Sequence, residues 1–244
     1  MWTTCPYTRA VAQPMKDFTP FEQKLGITFI DIALITRAFT HRSYINENPR
    51  SGLEHNERLE FLGDAVIELI VTDYLFRNYP TSAEGELTAY RSALVNAIIM
   101  GDVAAELGMN DYLLLSKGEA KDTGRARATI LANTYESFTG ALYLDQGYEV
   151  CNKFITNTLL PKLPEIISKK LWRDAKSLVQ EESQERLGVT PSYKVAAEVG
   201  PDHDKHFTIA IFFGDKKIAE GKGRSKQEGE QAAARTALEA KGWL

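Results

Sequence analysis

"NERLEFLGDAVIEL" spans residues 56–69, and its apolar residues recur at spacings of three and four. They cover most of a helical circumference, so we predict a helix that is largely buried in a core. Acids at the same spacings share one face of that helix. Because burial of an ionised carboxylate without a positive partner is costly, this row requires an explanation. The acids of the row are Glu57, Glu60, Asp64 and Glu68.

Two explanations of the acidic row are open at this point. Most charge rows on helices are solvated or salt-bridged faces that contribute little, and we expect Glu68 to be of this kind. The alternative is that a bound cation offsets the other acids.

A second polar position favours the cation. In "TILANTYESFTGALYLDQGY" (129–148), Glu136 follows Asn133 by three residues on an otherwise apolar helical pattern. The two side chains therefore point the same way. A lone acid on a buried helix face needs a partner.

If this helix packs against residues 56–77 with the polar faces meeting, four oxygen donors converge. Carboxylate and amide oxygens suit Mg²⁺, with Mn²⁺ as a substitute, and the lack of nearby Cys or His argues against zinc. A hard cation held by acids is typical of phosphate chemistry. The four donors are Glu60, Asp64, Asn133 and Glu136.

The composition limits the classes of protein that the chain can belong to. Its 244 residues, 43% of them hydrophobic, suffice for one large domain or two smaller ones. A formal charge of −4 gives no overall attraction to nucleic acid, so a polyanion needs a local patch. Two cysteines, Cys5 and Cys151, are too few for a disulfide framework and favour a reducing compartment, which we take to be the cytoplasm. We expect no secretion signal, no membrane span and no small-molecule organic cofactor.

The pattern along the chain predicts a multidomain protein. Residues 18–160 are helical almost throughout, with breaks at 46–52, 78–85 and 116–126. Residues 161–173 carry two prolines and a basic cluster and form our candidate linker. Residues 174–243 read as α-β-β-β-α, which implies a small antiparallel sheet with both helices on one face.

The stretch 55–69 resembles the signature of the ribonuclease III family. The similarity continues through "ALITRAFTHRSY" (33–44), "YPTSAEGELTAYRSALVN" (79–96) and "ILANTYESFTGALYLDQGYE" (130–149). The last seventy residues resemble the double-stranded-RNA-binding domain of the bacterial enzymes. The resemblance thus implies an all-α endonuclease domain followed by an RNA-binding domain.

The same resemblance implies roles for individual residues. Asp64 and Glu136 match catalytic acids that bind the metal together with Glu60, and Asn133 stands where the family most often has Asp. Glu57 and Glu84 match supporting acids. Phe61 matches an aromatic residue that docks into the partner subunit of a homodimer, although ordinary core packing explains it as well from sequence alone.

The C-terminal domain is expected to bind the RNA backbone. Ser225 and Glu228 have the spacing of a capping box, which predicts a helix start near Lys226. Free N–H groups and basic side chains at such a start attract phosphate. By resemblance, Gln180 and Gln184 of the first helix and His203 of a loop are further contacts. The predicted RNA-binding set is completed by Lys222, Arg224, Ser225 and Lys226.

These observations and the resemblance predict a Mg²⁺-dependent endoribonuclease that cuts double-stranded RNA to 5′-phosphate and 3′-hydroxyl ends. The resemblance also implies roles in processing ribosomal RNA and structured transcripts. One alternative is a non-catalytic double-stranded-RNA-binding protein whose nuclease domain has degenerated, as Asn133 suggests. A weaker alternative is a metal-dependent nuclease or phosphatase that acts on another polyanion. Three of the four donors are intact acids, which favours the enzyme.

Overall fold

The computed structural model describes residues 16–121, 123–201 and 205–244. The chain divides into two compact units after Leu163, inside the segment that the sequence marks as a linker. Each unit is described by itself.

The first unit is built from helices, as the sequence predicts. Short 3₁₀ turns at Met109–Tyr112, Glu119–Lys121 and Leu160–Lys162 lie between or after them. The predicted breaks at 46–52, 78–85 and 116–126 all fall between or at the ends of helices. The helices are α1 (Thr19–Leu25), α2 (Ile32–Ala38), α3 (Arg42–Glu47), α4 (Glu57–Asn78), α5 (Glu84–Leu94), α6 (Ala97–Leu107), α7 (Arg125–Gln146) and α8 (Tyr148–Thr158).

Helices α4 and α7, each of 22 residues, form the centre of this unit and pack against each other. The apolar side of α4 is buried, including Ile67 and Ile70, and α7 contributes the fully buried Tyr135 and Phe138. The start of α4 is fixed by Asn56, whose side-chain amide donates to the carbonyl oxygen of Ala38 at 3.2 Å. The two stretches with the polar positions are therefore neighbours in the core.

The predicted linker differs from a plain connection, because a further helix, α9 (Leu163–Ser168), lies within it. Pro164 is the second residue of that helix, where a backbone N–H has no intrahelical partner and proline is tolerated. The two prolines of this segment thus mark a helix start as well as a break.

The second unit has the predicted α-β-β-β-α order. The sheet is antiparallel with strand order 1-2-3, so that Tyr193 pairs with Ile211, and Ile211 pairs with Ala219. Its elements are α10 (Ala175–Leu187), β1 (Pro191–Val199), β2 (His206–Phe213), β3 (Lys216–Gly223) and α11 (Lys226–Lys241).

Both helices of this unit cover one face of the sheet. Leu178 and Val179 of α10, Ala233 and Leu238 of α11, and Ile211 of β2 belong to one buried cluster. The predicted fold class of both domains is confirmed. None of the helices in the described part of the chain is long and apolar enough to cross a membrane.

Candidate active site and RNA-binding surface

The close contact of α4 and α7 brings the predicted metal-binding residues together. Gly63, next to Asp64, lies against the backbone of Glu136, and a Cβ added at position 63 would stand 1.7 Å from the carbonyl oxygen of Glu136. Only glycine permits so close an approach of the two backbones. The site therefore depends on Gly63, a residue without a side chain that could bind a metal or react.

Hydrogen bonding and electrostatics link the four side chains in pairs. Burial, then the charge of Glu57, and also that of Asp64, raise the pKa of Glu60, while a hydrogen bond from the side chain of Asn133 opposes the rise. Burial, then the charges of Asp64 and Glu60, raise the pKa of Glu136 to about 8. Acids of α4 and Glu136 of α7 thus influence each other electrostatically.

The donor set fits a divalent cation. It consists of three carboxylates and one amide, all oxygen donors of the kind that hard cations prefer. Burial, and then neighbouring acids, raise the pKa values of Glu60 and Glu136, and a bound divalent cation would oppose that rise. Within the described ranges, no three His, Cys, Asp or Glu side chains are already arranged as ligands of one ion. Binding a cation therefore requires side-chain adjustment, such as release of Glu60 from Asn133.

Glu57, predicted to support the site, forms an ion pair. The guanidinium of Arg42 lies 2.7 Å from the Glu57 carboxylate, and Nδ1 of His55 lies 3.8 Å from the same oxygen. Arg42 is the first residue of α3, which is capped by His41: its Nδ1 accepts from the backbone N–H of Ser43 at 3.3 Å. Sequence reasoning did not single out Arg42 as a partner of Glu57, because no helical or strand spacing relates the two positions.

Glu84 lies on α5, whereas Phe61 directly follows Glu60 on α4. Glu84 is the exposed first residue of α5 and accepts a hydrogen bond from the hydroxyl of Thr88 at 3.2 Å. It is not among the groups that shift the pKa of Glu60 or of Glu136. Phe61 is 82% exposed, so the interpretation of this residue as ordinary core is wrong for the chain by itself.

The start of α11 is the predicted basic surface. Ser225 is the N-cap, and its hydroxyl accepts from the backbone N–H of Glu228 at 3.1 Å, which confirms the helix start at Lys226. The Glu228 carboxylate accepts from the backbone N–H of Arg224 at 2.9 Å, one residue before the N-cap itself. Lys222, Arg224 and Lys226 are all exposed there.

The other predicted RNA contacts lie on α10 and in a loop. Gln180 and Gln184 are exposed on α10, and the amide of Gln184 donates to the hydroxyl of Thr190 at 3.4 Å. His203 lies outside the described residues. The second unit thus presents two exposed polar helix regions, at Gln180 and Gln184 and at the start of α11.

A helical domain with clustered acids, followed by an α-β-β-β-α domain with a basic helix start, defines the class of nucleases that act on RNA duplexes. A family model described as ribonuclease-III-like matches residues 31–163 of the chain. A model of the double-stranded RNA binding motif matches residues 175–241. The chain belongs to the ribonuclease III family.

Known relatives agree with this assignment. Ribonuclease 3 of Pelotomaculum thermopropionicum is 44% identical over 220 residues, which cover 90% of this chain and 91% of the relative. Ribonuclease 3 of Protochlamydia amoebophila is 41% identical over 232 residues, or 95% of each chain. The protein is accordingly an endoribonuclease that acts on double-stranded RNA, and the relatives do not favour a non-catalytic role.

Two solved structures resemble the first unit. Both are nuclease domains of ribonuclease III from Campylobacter jejuni, with TM-scores of 0.55. One is 35% identical and covers 62% of this chain and 98% of its own. The other is 34% identical, covers 61% of this chain and 99% of its own, and is described as flexible in a region involved in dimer formation.

Proposed function

We propose that the protein hydrolyses phosphodiester bonds of double-stranded RNA with Mg²⁺, or Mn²⁺ in its place, held by Glu60, Asp64, Asn133 and Glu136. The observation that carries this proposal is the close packing of α4 against α7, which sets Gly63, next to Asp64, against the backbone of Glu136. Burial, then Asp64 and Glu60, raise the pKa of Glu136, in keeping with that packing. Acids from two packed helices that disfavour one another's ionisation are suited to a divalent cation, which would compensate their charge. When bound, the ion activates water and neutralises charge on the phosphoryl oxygens.

The chain's own residues hold and orient the reactants in this proposal. Asp64 and Glu136 are the catalytic acids and reach the site from α4 and α7. Glu136 gives up its carboxyl proton when a cation binds, because a ligand carboxylate must be ionised. Glu57, held by Arg42, supports the rim of the cluster, and Glu84 is assigned a supporting role by resemblance alone.

Attack of water in line with the leaving 3′-oxygen gives 5′-phosphate and 3′-hydroxyl ends. The second unit, for which we propose bounds of 174–243, holds the duplex by its backbone. Basic residues at the start of α11 contact phosphates, and Gln180, Gln184 and His203 contact the minor groove, as shape readout of A-form RNA requires. The nuclease domain is assigned to residues 18–160, with the linker at 161–173.

We further propose a homodimer in which Phe61 docks into the partner. An aromatic side chain that is 82% exposed beside the acids supports this, as does the dimer-forming region described for the Campylobacter jejuni domain. A symmetric pair of sites across one duplex would leave short 3′ overhangs. Phe61→Ala should lower the sedimentation mass towards that of one chain, and a wild-type mass of one chain would contradict the dimer.

A cytoplasmic location and roles in processing ribosomal RNA and structured messenger RNA follow from the cysteine content and the resemblance. Incubation of the purified protein with a long RNA duplex, with Mg²⁺ and then with chelator, tests the proposal. Cleavage that chelator abolishes is expected. Binding without cleavage would select a non-catalytic RNA-binding protein, and indifference to duplex RNA would select another polyanion as substrate.

A further inference from the structure

The helix that is proposed to face RNA has an acidic flank. Glu181, Glu182 and Glu185 lie in the same stretch of α10 as the two glutamines, where Glu181 and Glu185 are exposed and Glu182 is nearly buried. Glu181 precedes Gln184 by three residues, a spacing that makes the two side chains neighbours. Phosphates of a duplex are repelled by carboxylates on the same surface. These acids therefore need positive partners if α10 is to approach RNA.

The first partner comes from the linker. The guanidinium of Arg173 donates to the carboxylate of Glu181, and it also lies 5.7 Å from the ring centroid of Trp172. The Arg173 side chain is 29% exposed, whereas that of Glu181 is 58% exposed. Arg173, which precedes α10, is thus paired with the exposed Glu181 of that helix.

The second partner also comes from the linker. The ammonium of Lys170 lies 3.2 Å from one oxygen of Glu182, and the guanidinium of Arg186 lies 2.6 Å from the other. Glu182 is nearly buried, with a side chain that is 10% exposed. Lys170 has a φ of 48°, a left-handed conformation that residues with a Cβ rarely adopt. An unusual backbone conformation thus accompanies the Lys170–Glu182 ion pair.

We infer that Lys170 and Arg173 are positioning residues for duplex RNA: Arg173 holds and neutralises Glu181 beside the RNA-facing glutamines, and Lys170 anchors the linker to α10 through the nearly buried Glu182. Residues 170–173 then act as part of the RNA-binding unit, although the match to the RNA-binding motif begins at residue 175. This inference rests on the proposed contact of α10 with RNA.

Variants of the full chain test the inference by their affinity for a long RNA duplex in the presence of chelator, which prevents cleavage. Arg173→Gln removes the first cation, and Lys170→Asn removes the second with a residue that tolerates the left-handed conformation. Each should weaken binding about three- to tenfold at low salt and less at high salt. Arg173→Lys keeps the charge and should retain most of the affinity.

Lys169→Gln is the matched control. Lys169 lies in the same basic segment, but its partner is Glu165 of α9, 2.7 Å away, and not an acid of α10. The same loss of charge at position 169 should therefore change the affinity less than about twofold. An equal loss from all three substitutions would indicate a general charge effect and overturn the inference.

A second substitution separates positioning from direct contact. If Arg173 acts by neutralising Glu181, then Glu181→Gln should restore binding in the Arg173→Gln background. Failure to restore it, with an unchanged melting temperature, would mean that Arg173 touches RNA itself and would overturn the assigned role. If Arg173→Gln alone lowers the melting temperature, the double variant with Arg173→Gln and Glu181→Gln, which leaves no unpaired charge, is used instead. Wild-type affinity of the double variant would support the positioning role, and reduced affinity would overturn it.

Different results would refute the proposed function and the inference about Lys170 and Arg173. A wild-type chain that ignores duplex RNA would refute the proposed function. A wild-type chain that binds duplex RNA, with Arg173→Gln and Lys170→Asn binding equally well, would refute the linker's role alone.

Discussion

Gly63 of α4 and Gly140 of α7 face each other at the contact between the two central helices. A Cβ added to Gly140 would lie 3.0 Å from the backbone nitrogen of Gly63 and 2.2 Å from the carbonyl oxygen of Leu59. Neither position has room for a methyl group, and both obstacles are backbone atoms that cannot rotate away. This backbone contact sets the distance between Asp64 and the helix that carries Glu136.

Gly63→Ala should therefore impair the site, although Gly63 is not one of the proposed metal-binding residues. The added methyl forces α4 and α7 apart, which we expect to cost about 1–3 kcal/mol of unfolding free energy and most of the metal-dependent cleavage. Urea denaturation and duplex cleavage measure the two effects. The control is Gly85→Ala in α5, where a Cβ would meet no atom within 4 Å and should be neutral or stabilising. Normal stability and activity of Gly63→Ala would show that the helices separate freely.

Glu136→Gln should separate cleavage from binding. The amide keeps the shape of the side chain but removes a charge from the cation site, so cleavage should fall at least about a hundredfold while duplex binding is retained. Glu68→Gln is the matched control, because Glu68 is an exposed acid on α4 that takes no part in the site. Full activity of Glu136→Gln would show that Glu136 of α7 takes no part in cleavage, which contradicts the proposed mechanism.

Asn133→Asp should strengthen the cation site. The substitution adds a negative ligand and removes the hydrogen bond that lowers the pKa of Glu60. We expect cleavage to persist or increase, with the half-saturating Mg²⁺ concentration reduced on the order of tenfold. Cleavage rates measured over a Mg²⁺ titration test this. An inert wild type that Asn133→Asp activates would instead identify a degenerate nuclease.

Part of this site is readable from sequence because it depends on local rules. The lone Glu136 on an apolar helix, one turn after Asn133, predicts that polar groups lie opposite, and α4 supplies the acids Asp64 and Glu60 there. The S-x-x-E spacing at Ser225 predicts the first residue of α11. Such features follow from the helical period and from the cost of burying charge.

Other parts are set by contacts between distant positions. Arg42 and Glu57 meet because the backbone N–H of Asn56 donates to the carbonyl oxygen of Thr40 at 2.9 Å, which aligns the starts of two helices. No periodicity encodes that pairing. Helix α9 is missed for a different reason, since proline marks both helix ends and helix starts.

The stability of the metal-free protein should depend on pH through Glu136. Its folded pKa of about 8, raised by burial and by Asp64 and Glu60, exceeds the ordinary value of a glutamic acid. The folded state therefore holds a proton that the unfolded state releases. This proton stabilises the folded state fully below about pH 4.3, and the stabilisation is lost as the pH rises to about 8. The change in the free energy of unfolding is at most about 1.4 kcal/mol per pH unit, and solvent screening reduces it.

Thermal unfolding in chelator between pH 5.5 and 8.5 measures this dependence. The wild type should lose stability across the range, and Glu136→Gln, which cannot ionise, should show a flatter profile. Addition of Mg²⁺ should restore stability most at high pH, where the carboxylates are ionised and bind the cation. Parallel profiles of the two proteins would exclude Glu136 as the titrating group.

The start of α11 should supply the salt-sensitive part of RNA affinity. Lys222, Arg224 and Lys226 are exposed around a capped helix start, where backbone N–H groups and side chains attract phosphate together. Replacing all three with alanine should weaken duplex binding in chelator and reduce the slope of log affinity against log salt by about one unit per lost contact.

Lys241→Ala is the control for this prediction, because Lys241 is the last residue of α11, at the opposite end from the helix start. It should leave the salt slope unchanged. A single substitution, Ser225→Ala, removes the cap without removing charge and should cost about 1 kcal/mol of stability with a smaller loss of affinity. If the triple variant kept the wild-type slope, the phosphate contacts would have to lie on another surface of the second unit, and α10 with its linker cations would be the first to test.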